Sequence, residues 1–432
     1  MSLFTRQLFL SMKWRILYSM ENMSNKLLDR FVSYVKTWTT SDLAKADEGI
    51  MPSTARQADF AATLKKELLS IGITDVIITE HAYVCARLPA AKGYENVPVI
   101  GFLAHMDTAE EVSGENVNPN IIKNYDGSRL AVGNGIILDP ANDTALSAAK
   151  GETIITTDGS TLLGADDKAG IAEIMTAMEA LITDSSAKHG TIEIIFSPDE
   201  ETGHGMDYVP VDWLTAKQCY TLDGGHIGEL ETECFTAYKC DVNFTGVACH
   251  TGTARGIMAN AITMASRFVA MLPQNESPEA TDGYYGFYAP MDMTGSIENA
   301  HVLLYLRDFT MEKMQRRLNT VDALAKAIEV TFPGGKVDVV HTKQYLNMKD
   351  ELDKNPAVVE KLVQAAKLAG TEPVFCPIRG GTDGSRLTEM GIPTPNIFTG
   401  GHNFHSRSEW VSLDQMTAAT KLVIELSKLW AE

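Results

Sequence analysis

Three short groups of acids and imidazoles carry the chemistry of this chain: His105-Met106-Asp107, Gly164-Ala165-Asp166-Asp167-Lys168-Ala169-Gly170 and Pro198-Asp199-Glu200-Glu201. Each sits just past a short apolar run, where a buried strand would end, and strand ends are where open α/β sheets hold ligand sites. Asp223-Gly224-Gly225 and the loop from Gly400 to His405 stand in the same relation to the apolar runs before them. Mixed histidine and carboxylate side chains delivered to one place suit a hydrolytic metal site. The two-residue period of a strand puts His105 and Asp107 on one face, so the imidazole can bind metal while the carboxylate fixes its tautomer. Acids such as Asp166 and Asp167 commonly cap helices. Here the flanking glycines also permit unusual backbone, and a carboxylate whose two oxygens faced two cations would bridge them. Glu200 and Glu201 point in different directions, so one can ligate while the other moves a proton. Taken singly, each group also reads as a capping or solvated acid. Taken together, convergence would leave like-charge pairs costing about 4 kcal/mol each at ~4 Å and an effective dielectric of ~20, which only protons or cations relieve.

The elements that must position these groups follow from hydrophobic periodicity. Val97 to Ala104 reads as a buried strand. Ile171, Ile174, Met175, Met178, Leu181 and Ile182 fall at helical spacing, and Thr191 to Phe196 and Tyr220 to Leu222 are strands again. This rhythm predicts a doubly wound α/β sheet covered on both faces. Near Cys234 the texture changes. Strand-like Phe235 to Thr245, Val302 to Leu306 and Lys336 to Val340 enclose helical patterns over Ala259 to Leu272 and Glu312 to Val330. That pattern suits an inserted α+β domain of ferredoxin-like type. From about Asn347 the α/β texture returns, with helices over Ala357 to Ala369 and Leu413 to Trp430 and a strand at Thr394 to Phe398. The expected organisation is a catalytic domain over 23–233 and 347–432, with the insertion at 234–346. The first residues, 1–22, interrupt apolar side chains with Arg6, Lys13 and Arg15. They form neither an unbroken signal-peptide core nor a membrane span. They are expected to be a disordered extension ahead of a physiological start at Met20 or Met23.

Bulk composition narrows the partners. A chain of 432 residues exceeds what one core usually serves. Its 56 acidic against 37 basic residues give a net charge of -19, which argues against nucleic acid or an anionic membrane as partner. Six cysteines without Cys-x-x-Cys spacing read as reduced thiols of a cytoplasmic protein.

Read in order, these motifs resemble the peptidase T family, bacterial tripeptide aminopeptidases of the co-catalytic two-zinc metallopeptidase and deacylase superfamily. The likeness runs from about Met23 to the C-terminus. It includes Gly114-Glu115-Asn116-Val117-Asn118-Pro119, the stretch from Ile154 to Gly159, and Ile378-Arg379-Gly380-Gly381-Thr382-Asp383-Gly384. The resemblance implies two Zn2+ per subunit, with Co2+ or Mn2+ as substitutes. One would be held by His105, Asp166 and Asp223, the other by Asp166, Glu201 and His405. It implies Asp107 as the residue orienting His105, Glu200 as general base, and a cis peptide between Asp166 and Asp167. The inserted domain would be the family's lid, in which His250 stabilises the oxyanion; Thr251 follows it where the family usually carries Pro. Asn260, Arg307 and Arg379 match positions that hold the peptide, through its C-terminal carboxylate. Tyr284, Tyr285, Phe287 and Tyr288 read as lid packing. The implied partner is a tripeptide, with homodimer formation through the lid. A dipeptidase, a carboxypeptidase or an N-acyl amino acid deacylase of the same superfamily is the neighbouring alternative, and a non-catalytic peptide-binding relative is a distant one.

Overall fold

The computed structural model describes residues 21–432, which fold as two units. The extension expected over 1–22 lies outside the described residues except for its last two, which open a helix running to residue 35. Leu27, Phe31, Tyr34 and Val35 form the buried stripe of that helix.

The first unit comprises the described residues up to Glu231 together with Glu351–Cys376 and Thr382–Glu432. At its centre lies an eight-stranded sheet in the order Asp75–Ile78, Val84–Leu88, Ile192–Ser197, Ile100–His105, Cys219–Gly224, Asn396–Phe398, Glu229–Glu231, Val374–Phe375. Four of these, Ile192–Ser197, Ile100–His105, Cys219–Gly224 and Asn396–Phe398, run parallel to one another. Their C-terminal ends therefore open along one edge, where side chains from distant stretches of sequence meet. Every residue of Ile100–His105 and Ile192–Ser197 is buried, as expected of strands covered on both faces. Helix Ala165–Thr183 packs on the strand Ile100–His105, and helix Leu413–Leu429 packs on that helix. Leu103 and Ile195 instead join a cluster with Met206, Val209, Leu214 and Leu387. Among the described residues no helix is long and apolar enough to cross a membrane.

A smaller antiparallel sheet orders Gly401–His402, Trp410–Ser412, Ile154–Thr156 and Asn120–Ile122. Its register sets Trp410 opposite Thr156. The loop that ends at Glu409 is thereby tied to the segment leading into Gly164. Beside it, Leu130–Gly133 and Ile136–Leu138 form a hairpin whose Asn134-Gly135 turn has φ of 48° and 80°, the doubly positive turn such short loops favour.

The second unit is Thr232–Asp350 with Pro377–Gly381, the latter joined through the bridge between Cys234 and Ile378. Its chain order is strand Thr236–Thr245, helix Ala261–Met271, strands Phe287–Gly295 and Asn299–Asp308, helix Met311–Thr331 and strand Lys336–Tyr345. The strands form one antiparallel sheet with Thr236–Thr245 and Asn299–Asp308 in the middle. Val242, Leu304, Phe268 and Val321 share its core. This is the ferredoxin-like arrangement. Strand Phe287–Gly295 is one that periodicity does not predict. Pro290 and a register shift before Asp292 break its alternation, and proline is tolerated there because the strand is an edge.

Candidate metal centre

His105 closes its strand and is 2% exposed. Asp166 lies in the turn that opens helix Ala165–Thr183, beyond Gly164, whose φ is 78°. Its Oδ1 is 2.8 Å from His105 Nε2 and its Oδ2 is 3.2 Å from His405 Nε2. One carboxylate thus addresses two imidazoles with different oxygens. Asp223 Oδ1 is 3.5 Å from His105 Nε2, and Glu201 Oε2 is 3.0 Å from His405 Nε2. The result is two groups sharing Asp166, His105–Asp166–Asp223 and Asp166–Glu201–His405, with the ligand atoms of each within 4.8 Å of one another. The Asp166–Asp167 peptide is cis, and His405 sits in the left-handed region at φ 57°.

Crowding sets the electrostatics. Desolvation opposes charge on His105, yet Asp107, Asp166 and Asp223 hold its imidazole well above the ordinary range. His405 is pushed up to about 11, first by its contacts with Asp166 and Glu201. Desolvation raises Glu201 to about 8 and Asp223 to about 6, and with repulsion from Asp223 it lifts Glu200 well above a normal carboxyl. Asp166 alone is lowered: desolvation works against its charge, but the two histidines prevail. Cations would relieve the same crowding that protons do. Two divalent ions against the three ligand carboxylates Asp166, Glu201 and Asp223 leave one positive charge. Glu201 Oε1 is buried without a hydrogen-bond partner among the described residues, so an acceptor stands ready for a cation. The donor set fits a pair of divalent metals.

The supporting groups are mostly ones the sequence did not distinguish. Asp107 Oδ1 lies 3.3 Å from His105 Nδ1, within ion-pair reach though not aligned as a hydrogen bond. The same carboxylate accepts from Glu200 N at 3.0 Å and Glu201 N at 3.2 Å, so it also fixes the 3-10 turn Glu200–Thr202. Asp167 points away from the ligand pair and accepts from His105 N at 3.1 Å and Gly170 N at 3.2 Å. Asp199 turns to Ser53 N at 2.7 Å and Gln57 Nε2 at 2.6 Å, anchoring the loop from behind. Asn396 Oδ1 accepts from Asp223 N at 3.0 Å. Glu111 Oε1 lies 3.6 Å from His405 Nδ1, and Asp383 accepts from Ser197 Oγ.

The remaining expected site residues belong to the second unit. His250 is exposed, and its Nδ1 accepts from Gly252 N at 3.1 Å. An accepting Nδ1 leaves the ring proton on Nε2, a donor. Asn260 caps helix Ala261–Met271 through Oδ1, at 3.0 Å from Ile262 N. Arg307 donates to the carbonyls of Tyr238 and Leu306 and stacks over Tyr305. Arg379 donates to the carbonyls of Thr281, Gly283 and Tyr285. Those acceptors are neutral carbonyls, so none of these bonds pairs either guanidinium with a carboxylate.

Residues 157–428 match the profile of peptidase family M20/M25/M40. Peptidase T of Clostridium perfringens (strain 13 / Type A) is 46% identical over 407 residues, covering 94% of this chain and 99% of that protein. The chain belongs to this peptidase family. The aminopeptidase PepT from Bacillus cereus ATCC 10987 superposes with a TM-score of 0.74 at 25% identity, over 95% of this chain and 99% of that one. The Bacillus subtilis protein YXEP, a dinuclear metal-binding peptidase of the M20 family, shares the fold with a TM-score of 0.65 at 14% identity, over 95% and 98%. An M20 peptidase hydrolyses peptide bonds, and the residues converging on Asp166 are donors suited to a dinuclear centre.

Proposed function

We propose that this M20 peptidase is a two-zinc aminopeptidase that removes the N-terminal residue of tripeptides. The observation that carries the reading is Asp166, one oxygen toward His105 and the other toward His405, with Asp223 and Glu201 completing the two groups. Zinc held there would supply a nucleophile from water near neutral pH and polarise the scissile carbonyl; Co2+ or Mn2+ would substitute. Asp107 holds the ring of His105 and the turn bearing Glu200 in register with one another. Glu200 is not in either ligand group, and its raised carboxyl suits a residue that takes a proton from the attacking water and returns it to the leaving amine. His250, with its proton on Nε2, is the proposed oxyanion donor. Arg307, Arg379 and Asn260 are proposed to recognise the C-terminal carboxylate, which would disfavour longer peptides. A cytoplasmic setting accords with six free cysteines among the described residues. Dimer formation through the second unit accords with the exposed Met291 and Met293 of its edge strand.

The test is release of the N-terminal residue from a free tripeptide by the zinc-loaded protein and by Glu200→Gln. Turnover by the wild type and a loss of about 10²- to 10⁴-fold in the variant are expected. A fully metallated wild type that leaves tripeptides intact but cleaves N-acetyl amino acids would replace this reading with the deacylase.

A further inference from the structure

We infer that Glu409 is a positioning residue that sets the bridging carboxylate of Asp166 relative to His405. The inference rests on the metal reading of the site and concerns a residue outside both ligand groups. Glu409 is 1% exposed. Its Oε2 accepts from Leu163 N at 2.6 Å and Gly164 N at 2.9 Å, and its Oε1 accepts from Ala165 N at 2.7 Å and Asp166 N at 3.3 Å. Four successive backbone N–H groups therefore converge on one carboxylate. The last belongs to Asp166 itself.

They line the turn from Leu163 to Asp166, where Asp166 and Asp167 depart from helical φ and ψ, so these N–H groups find no partner within the helix. An N-cap side chain normally serves them, but Gly164 at the N-cap of helix Ala165–Thr183 has none. Glycine is needed there for its left-handed φ of 78°. The cap is therefore supplied from 245 positions away in sequence. The supplier is itself fixed: Trp410, the next residue, pairs with Thr156 in the small sheet. His405 precedes Glu409 by four residues in the same loop. One side chain thus joins the loop bearing a ligand of one group to the turn bearing the ligand both groups share. Four donors also demand an acceptor at every point, which an ionised carboxylate provides and an amide does not.

That demand gives a test that simple space-filling would fail. Glu409→Gln preserves shape but turns an NH2 toward two of the four N–H groups. Wild type, Glu409→Gln and Glu409→Asp would be titrated with Co2+, following the visible d–d absorption, and assayed for tripeptide hydrolysis at saturating metal. Glu409→Gln is expected to fold as wild type by circular dichroism yet bind cobalt about 10- to 100-fold more weakly, with an altered spectrum. Its kcat should fall by a similar factor while KM changes little. Glu409→Asp, which keeps the charge but withdraws it by one methylene, should fall between. A wild-type cobalt titration and kcat in Glu409→Gln would overturn the inference; if that variant does not fold, the same result in Glu409→Asp would do so. A wild type that binds two cobalt ions without cleaving tripeptides would instead count against the substrate reading, leaving the cobalt comparison intact.

Discussion

Replacing Asp107 with asparagine isolates a single oxygen. The native carboxylate offers Oδ1 to Glu200 N and to the side of the His105 ring, and Oδ2 to Glu201 N. Asparagine keeps one acceptor, so in either orientation its NH2 faces a backbone N–H of the Glu200–Thr202 turn. One N–H beside a fully buried side chain is left unpaired, at about 1–3 kcal/mol. The loss of charge weakens what remains by about 1–2 kcal/mol, since bonds to a carboxylate are roughly twice as strong as neutral ones. The sum of about 2–5 kcal/mol corresponds to a loss of roughly 30- to 5000-fold if it is expressed at the transition state. The assay is kcat/KM on a tripeptide at saturating zinc, with metal content measured on the same sample. Fully metallated Asp107→Asn with activity within about threefold of wild type, under about 1 kcal/mol, would refute the view that Asp107 places the catalytic turn.

Stripping the metals should expose a pH dependence of definite sign. Glu201 and Asp223, raised to about 8 and about 6, keep protons in the folded state that the unfolded chain has released, so their effect is a stability that declines as pH rises through those values. His405, raised to about 11, stabilises fully below its ordinary 6.5 and loses that contribution as pH climbs. The chelated protein should therefore melt at progressively lower temperature from about pH 5 to 8, and zinc should flatten the curve; a melting temperature that rises with pH in chelator would contradict it. Gly170→Ala would place a Cβ 2.1 Å from Leu222 O, a backbone atom of the central sheet. A destabilisation of at least about 1–3 kcal/mol should follow, and an unchanged denaturant midpoint would show the contact to be soft. His250→Ala should lower kcat by about 10²- to 10³-fold with metal content intact; equal loss with metal-free folding defects would point to the loop rather than the imidazole.

What could be read from the sequence divides along physical lines. Ile100–His105 and Ile192–Ser197 were legible because strands buried on both faces become continuous apolar runs. Helix Ala165–Thr183 announced itself by spacing. Two- and three-residue strands such as Gly401–His402 and Asn120–Ile122 are too short to show a period, and only their pairing defines them. Strand Phe287–Gly295 was hidden by Pro290. The Asn134-Gly135 turn does carry a recognisable hairpin signal, one that periodicity alone leaves unused. The acids and imidazoles at strand ends were visible one by one, each also readable as a cap or a solvated acid, and the ligand set came from the family resemblance; the structure brings those residues into two groups. Asp199 shows the limit of that logic. Its type and neighbours match Glu200 and Glu201, yet its left-handed backbone at φ 58° turns it to Ser53 and Gln57 instead.

Asp107 was legible as the partner of His105, but its grip on the Glu200–Thr202 turn and the roles of Asp167 and Glu409 were not, for a reason that also bears on how the site works. Asp107, Asp167 and Glu409 are held by backbone N–H groups, and an N–H carries no residue signature in a sequence. No lysine or arginine among the described residues forms an ion pair with Asp107, Asp166, Glu201 or Asp223; their charged partners are histidines. Even the buried Lys168, lowered to about 7 by desolvation, donates to the Thr37 carbonyl rather than to a carboxylate. Neutral donors fix an acid in place without cancelling its charge. A guanidinium in the same position would fix it equally well and remove the attraction for a divalent ion. The fold thus positions its supporting acids with dipoles and gives the ligand acids no permanent cation, only histidines that can themselves turn to a metal. Metal affinity requires that, and a scaffold built from salt bridges would forfeit it.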